Sequence, residues 1–260
     1  MDFPLPEGAK LERDIAYGDH RLHRLDLYRP ARAQGAPIIV MVHGGAWRLG
    51  HKGAERVVRN KVVHWVRKGW LFASVDYRLL PEARPLEQAR DVALALAFVQ
   101  SKAAAWGSDP ARVVLMGHSS GAHLVSLLSA DPGIASLSST MQWRATVAID
   151  SAAFDVERIM RGRHFGFYDA AFGATAQEWL AASPLHRLRE LRVPLLAVCS
   201  SRSGDCCPQA LAFAAKAVAQ GGRVVVQPED LSHVDLNERL GTPGGYTDRV
   251  DSFLGSVGLP

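Results

Sequence analysis

Residues 112–123, RVVLMGHSSGAH, constrain this chain more than any other stretch. An apolar, β-branched run (Val113–Met116) breaks into Gly-His-Ser-Ser-Gly, and a small-residue helical segment (Ser120–Ala130) follows. G-x-S-x-G between a strand and a helix predicts a tight turn that lifts the serine hydroxyl clear of a sheet. The helix N-terminus then aims backbone N–H groups at whatever negative charge forms there. Ser119 is the candidate nucleophile. A plain Ser/Gly turn would need neither the strand before it nor the helix after it.

The rest of the chain supplies the matching frame. Strand-like runs are expected at Pro37–His43, Trp70–Tyr77, Ala145–Asp150, Val193–Ser201 and Arg223–Gln227, with HRLDLYRP as an early edge strand. Between them, His51–Lys68, Glu87–Trp106, Pro208–Gln220 and Tyr246–Val257 carry apolar residues at helical spacing. Continuously apolar strands are covered on both faces. Strand–helix alternation predicts one α/β domain over residues 1–260, with a mostly parallel sheet of about eight strands flanked by helices. Residues 151–192 break the alternation. They are rich in aromatics and are expected to form a small helical insertion, or lid, after strand six.

The composition excludes several classes. The 260 residues are 48% hydrophobic and 22% charged, so the chain is neither disordered nor fibrous. The net charge of +4 is scattered, apart from a basic stretch at Arg56–Lys68 that alternates with apolar residues and reads as a solvated helix face. No nucleic-acid footprint is expected. The N-terminal MDFPLPEGAKLERD lacks an apolar stretch, so no leader is expected, and no apolar run is long enough to span a membrane. Cys199, Cys206 and Cys207 are an odd, unevenly spaced set. They are read as reduced thiols in a cytoplasmic protein, without a metal site.

A serine hydroxyl needs a histidine to take its proton and a carboxylate to orient that histidine. In this chain order the acid follows the serine and the histidine comes last. Three histidines follow the elbow helix: His164, His186 and His233. His233, in a loop just after the last strand, is the candidate base. The acid is less sharply defined. Asp205 is preferred because it lies past the next-to-last strand, whose end loop can meet that of the last. Asp150, at the end of the strand before, is the alternative, and Asp155, Asp230 and Asp235 are also near.

A carbonyl under attack develops an oxyanion that preorganised backbone N–H groups must meet. Ser120, the residue after the nucleophile, is one expected donor. HGGAW (His43–Trp47), just past an early buried strand, supplies Gly44, Gly45 and Ala46 as the others. Trp47, with Phe154, Phe165, Phe167, Tyr168 and Phe172, is a candidate wall of a substrate pocket, as is His118 beside the nucleophile.

These segments together resemble the α/β-hydrolases of the acetyl esterase/lipase kind, related to the hormone-sensitive-lipase and kynurenine-formamidase branches. The matching pieces are DLYRP (Asp26–Pro30), HGGAW followed by RLGHK, VDYRLLPEA (Val75–Ala83), GHSSGAH (Gly117–His123), and the late Asp205 and His233. The resemblance implies a Ser119–Asp205–His233 triad and an oxyanion hole from Gly44, Gly45 or Ala46 with Ser120. Ala46 stands where the lipase branch has a third glycine, which moves the resemblance toward small esterases and formamidases.

The expected function is hydrolysis of a small or short-acyl carboxylic ester through an acyl-enzyme, with no metal or cofactor signalled. An aryl formamidase acting on an N-formylkynurenine-type amide is the alternative. A non-catalytic binding protein on the same scaffold ranks last, because every triad residue type is present. Neither a homodimer nor any other oligomeric state can be read from the residues.

Overall fold

The structure is a computed structural model describing residues 3–136, 138, 140 and 142–260. Met1 and Asp2, part of the N-terminal stretch read above for a leader, lie outside them. Eight strands form one sheet: β1 (Lys10–Ala16), β2 (Arg24–Arg29), β3 (Ala36–Val42), β4 (Leu71–Val75), β5 (Ser108–His118), β6 (Ala145–Ile149), β7 (Leu195–Ser200) and β8 (Val224–Glu229). Their order across the sheet is β1-β2-β4-β3-β5-β6-β7-β8. Only β2 runs against its neighbours; β4, β3, β5, β6, β7 and β8 are parallel.

Eleven α-helices accompany the strands among the described residues: α1 (Glu55–Arg67), α2 (Pro85–Lys102), α3 (Ser120–Ala130), α4 (Pro132–Ser136), α5 (Val156–Arg161), α6 (Gly166–Phe172), α7 (Ala176–Ala182), α8 (Pro184–Arg187), α9 (Cys206–Ala219), and, after the last strand, α10 (His233–Arg239) and α11 (Gly245–Ser256). Both faces of the sheet are covered, as the continuous apolar runs require. On one face β3, β5 and β7 residues pack against Val92 and Leu96 of α2, Leu124 of α3 and Phe213 of α9. On the other, Val58, Val62 and Trp65 of α1 join Val250 and Leu254 of α11. Burial of these side chains stabilises each layer by roughly 1.5–3 kcal/mol per large residue. The helical insertion falls where expected, as α5–α8 between β6 and β7.

Four expectations are corrected. β2 is not an edge strand: β1, a charged KLERDIA segment, covers its outer side and forms the edge. His233 is not in a loop but opens α10. The basic stretch on α1 is not wholly solvated, because Lys61 is buried; its Nζ donates to Val57 O, Asn237 O and Asn237 Oδ1. Finally, Cys199 and Cys207 form a disulfide and only Cys206 is free. The chain folds from β7 straight back into α9, which brings the two Cα atoms to 5.2 Å. No helix among the described residues is long and apolar enough to cross a membrane.

Candidate active site

The turn from β5 into α3 is as tight as its glycines require. A Cβ on Gly117 would sit 2.4 Å from Gly121 O, and one on Gly121 would sit 2.2 Å from Val42 O. Between them Ser119 adopts φ 56°, ψ −121°, a conformation that L-residues rarely hold. The strain is retained because β5 and α3 fix both ends of the turn, with Ser119 N–H donating to Ile149 O of the neighbouring β6.

Ser119 Oγ lies 3.0 Å from His233 Nε2, and His233 Nδ1 lies 2.6 Å from Asp150 Oδ2. A carboxylate only accepts, so Nδ1 carries the proton and the Nε2 lone pair faces the serine hydroxyl. Ser200 N–H, at the end of β7, donates to the other Asp150 oxygen at 2.7 Å. Burial works against the Asp150 charge. The bonds from His233 and Ser200 outweigh it and hold the carboxyl below its usual range.

Asp205, the preferred acid in the sequence, is therefore corrected in favour of Asp150. Asp150 directly follows β6, the strand beside β5, and its φ of 54° turns it off the sheet edge toward the serine. Asp205 lies five residues beyond the end of β7, at the N-terminus of α9 without a side-chain capping bond, and is exposed, with no carboxylate bond to His233 among the described residues. Asp155 caps α5, Asp230 pairs with Arg202, and Asp235 accepts from Ser232.

The HGGAW segment forms the turn after β3. Gly45 has φ 133°, and a Cβ there would meet Leu49 O at 2.1 Å; Ala46 and Trp47 also have positive φ, 52° and 59°. Ala46 and Ser120 line the same cleft as Ser119 and His233. Their amides donate to no acceptor among the described residues. Gly44 and Gly45 do not line that cleft. Gly44 instead packs under the elbow, where a Cβ would lie 2.9 Å from the Ser119 Cβ.

Three motif fragments cooperate to hold this turn. Lys52 is buried and its Nζ reaches Asp26 at 2.9 Å and Asp14 at 2.8 Å. Its backbone N–H donates to Asp76 Oδ1 at 2.6 Å, and its carbonyl accepts from Ser74 Oγ. Burial disfavours the Lys52 charge, but the bonds to Asp14 and Asp26 prevail and raise its pKa. Tyr77 Oη donates to His43 O at 2.8 Å. DLYRP, RLGHK and VDYR thus meet around one turn. No local pattern in the sequence announces Lys52 or Asp76, because the Lys52–Asp26 ion pair and the Lys52 N–H to Asp76 bond join residues more than twenty positions apart.

Trp47 is buried. Its Nε1 donates to His123 Nδ1 at 3.1 Å, and His123 Nε2–H donates to Ala182 O at 2.8 Å, linking turn, elbow helix and insertion. Burial lowers the His123 pKa to about 4, so the ring stays neutral and can accept from Trp47. His118 is corrected as a pocket wall. It is buried behind the site and donates from Nε2 to His233 O at 3.0 Å. Burial, reinforced by the nearby His233, lowers its pKa to about 3. Phe154 and Phe172 belong to the core. Phe165, Phe167 and Tyr168 line the cleft together with Trp47. The cleft encloses about 1040 Å³. Among the described residues no cluster of three potential ligands could hold a metal ion.

Comparisons with known proteins agree with this frame. An isoprenylcysteine alpha-carbonyl methylesterase of Arabidopsis thaliana is 35% identical over 116 residues, 44% of this chain and 26% of that protein. An esterase of Mycobacterium tuberculosis, LipQ, is 36% identical over 128 residues, 46% of this chain and 30% of that protein. The matched region is thus less than a third of the length of these relatives. Among solved structures, a truncated carbohydrate esterase from gut microbiota superposes with a TM-score of 0.81 at 17% identity, covering 95% of this chain and 96% of that one. That likeness shows the α/β-hydrolase fold. The BD-FAE family profile matches residues 25–161, more than half of the chain and inclusive of HGGAW, Ser119 and Asp150. The chain belongs to the BD-FAE family of α/β-hydrolase-like proteins.

Proposed function

We propose that this protein hydrolyses carboxylic esters through an acyl-enzyme on Ser119. The observation that carries the reading is the Ser119–His233–Asp150 chain, held on a strained elbow and open to a cleft. His233 Nε2 takes the hydroxyl proton as Ser119 Oγ bonds to the ester carbonyl carbon, and the oxyanion forms between the amides of Ala46 and Ser120. The imidazolium then protonates the departing alkoxide, and the C–O bond to the alcohol breaks. Water enters, gives its proton to His233 and adds to the acyl carbon. His233 returns the proton to Ser119 Oγ as the acid leaves. Asp150 keeps the ring in the Nδ1–H tautomer and offsets its transient charge.

The names of the relatives, esterases and a methylesterase, support ester hydrolysis in kind. The chain acts as one domain, with α5 and α6 of the insertion lining the cleft. The cytoplasmic setting rested on three free thiols; with Cys199 and Cys207 paired, that support is gone.

Turnover of p-nitrophenyl esters of graded acyl length, and of N-formylkynurenine, by wild type and Ser119→Ala tests this reading. Ester turnover that vanishes in Ser119→Ala is expected. No turnover, or turnover indifferent to Ser119→Ala, would refute it. Faster formamide than ester turnover would make the protein a formamidase.

A further inference from the structure

The insertion places two uncommitted guanidinium groups in the cleft. Arg158 on α5 and Arg163 just beyond it are exposed and line the same cleft as Ser119. Neither side chain has an ion-pair or hydrogen-bond partner among the described residues. The acids nearby in the chain are taken. Asp155 accepts from Arg158 N–H and meets His186, Glu157 holds Arg161 and His186, and Asp169 holds His164. Arg202, the third arginine of the cleft, is paired with Asp230. Of the carboxylates lining the cleft, Asp150 is engaged by His233, which leaves Asp205 alone against two free guanidiniums.

Beside these charges lies an apolar ledge. Phe165 and Phe167 are 72% and 42% exposed, and their rings stack at 5.7 Å with planes 10° apart. A ledge of this kind flanked by unpaired positive charge fits a ligand with an apolar body and an anionic end. The planar guanidinium fork matches a carboxylate in geometry as well as charge.

We propose that Arg158 and Arg163 form an anion subsite, and that the ester cleaved at Ser119 carries a free carboxylate at the end of an apolar or aromatic body. This deepens, and rests on, the ester-hydrolase reading above.

Two matched substrate pairs test it. In the acyl arm, the mono-4-nitrophenyl ester of adipic acid is set against 4-nitrophenyl hexanoate. In the alcohol arm, 4-carboxyphenyl acetate is set against phenyl acetate. Both are assayed with wild type, Ser119→Ala and the Arg158→Gln/Arg163→Gln double variant. In at least one arm the double variant is expected to lower kcat/KM for the carboxylate substrate about tenfold, mainly through KM. The neutral partner should change by less than about twofold, and added NaCl should reproduce the loss selectively. Equal losses on charged and neutral substrates, or none in either arm, would overturn the subsite. If neutral esters are still turned over in a Ser119-dependent way, the hydrolase reading survives that result. No Ser119-dependent turnover of any ester would remove both.

Discussion

Asp150 Oδ2 lies 2.6 Å from His233 Nδ1, across 83 residues of chain. The contact is made because β6 neighbours the nucleophile strand β5, while α10 carries His233 back to the same sheet edge. Removing the carboxylate charge should release the imidazole to its other tautomer. Asp150→Asn is expected to lower kcat about a thousand- to ten-thousandfold with little change in KM. Asp205→Asn should stay within about twofold of wild type on a neutral ester, because the side chain is exposed and His233 is already engaged by Asp150. Steady-state kinetics on the two variants separates them.

Lys52 should matter for stability out of proportion to its place in the chain. Lys52→Met leaves Asp26, 1% exposed at its side chain, as a buried charge without its partner. Breaking a buried pair from one side typically costs about 3–5 kcal/mol. A urea titration followed by intrinsic fluorescence should show that loss. Arg56→Met, on an exposed surface pair with Glu238, should change stability by less than about 1 kcal/mol.

Acid should weaken the fold before it protonates the carboxylates. His118 and His123 have folded pKa values of about 3 and about 4, below the ordinary value of 6.5. Between those limits the unfolded chain binds more protons than the folded one, so stability falls as pH falls. The loss begins below about pH 6.5 and reaches roughly 1.4 kcal/mol per pH unit for each histidine lower in the window. Urea midpoints near pH 7, 6 and 5 measure it; a midpoint flat over this range would contradict the neutral, buried rings.

The disulfide closes a short loop, Cys199 to Cys207, eight residues apart. Replacing both cysteines by serine should cost roughly 2–3 kcal/mol by freeing the unfolded chain. Cys206 should take no part in exchange. It is buried, and that burial together with the adjacent Asp150 charge pushes its thiol up to about 12. Peptide mapping after native iodoacetamide treatment should leave Cys206 unmodified.

Much of this architecture is legible in the residues. The apolar runs of β3, β4 and β5 and the GHSSG turn read directly, because burial on both faces and a steric demand for glycine leave local marks. Ser119 and His233 follow from chain order. Asp150 and Asp205 could not be separated that way. Each follows a strand, and only the sheet order, with the positive φ of Asp150, decides which one reaches the histidine. β1 was missed for a similar reason: KLERDIA is an edge strand with little apolar surface. The Lys52–Asp26 pair and the His118 contact to the His233 backbone are long-range, and no periodicity announces them.

The central claim is that Ser119 Oγ forms the covalent bond to substrate. Brief treatment with a p-nitrophenyl alkylphosphonate, followed by intact mass and peptide mapping, tests it most directly. One phosphonyl group per chain on the peptide bearing Ser119, with matching loss of esterase activity and no adduct in Ser119→Ala, is the predicted result. An adduct on another residue, or full activity in a protein phosphonylated at Ser119, would contradict it.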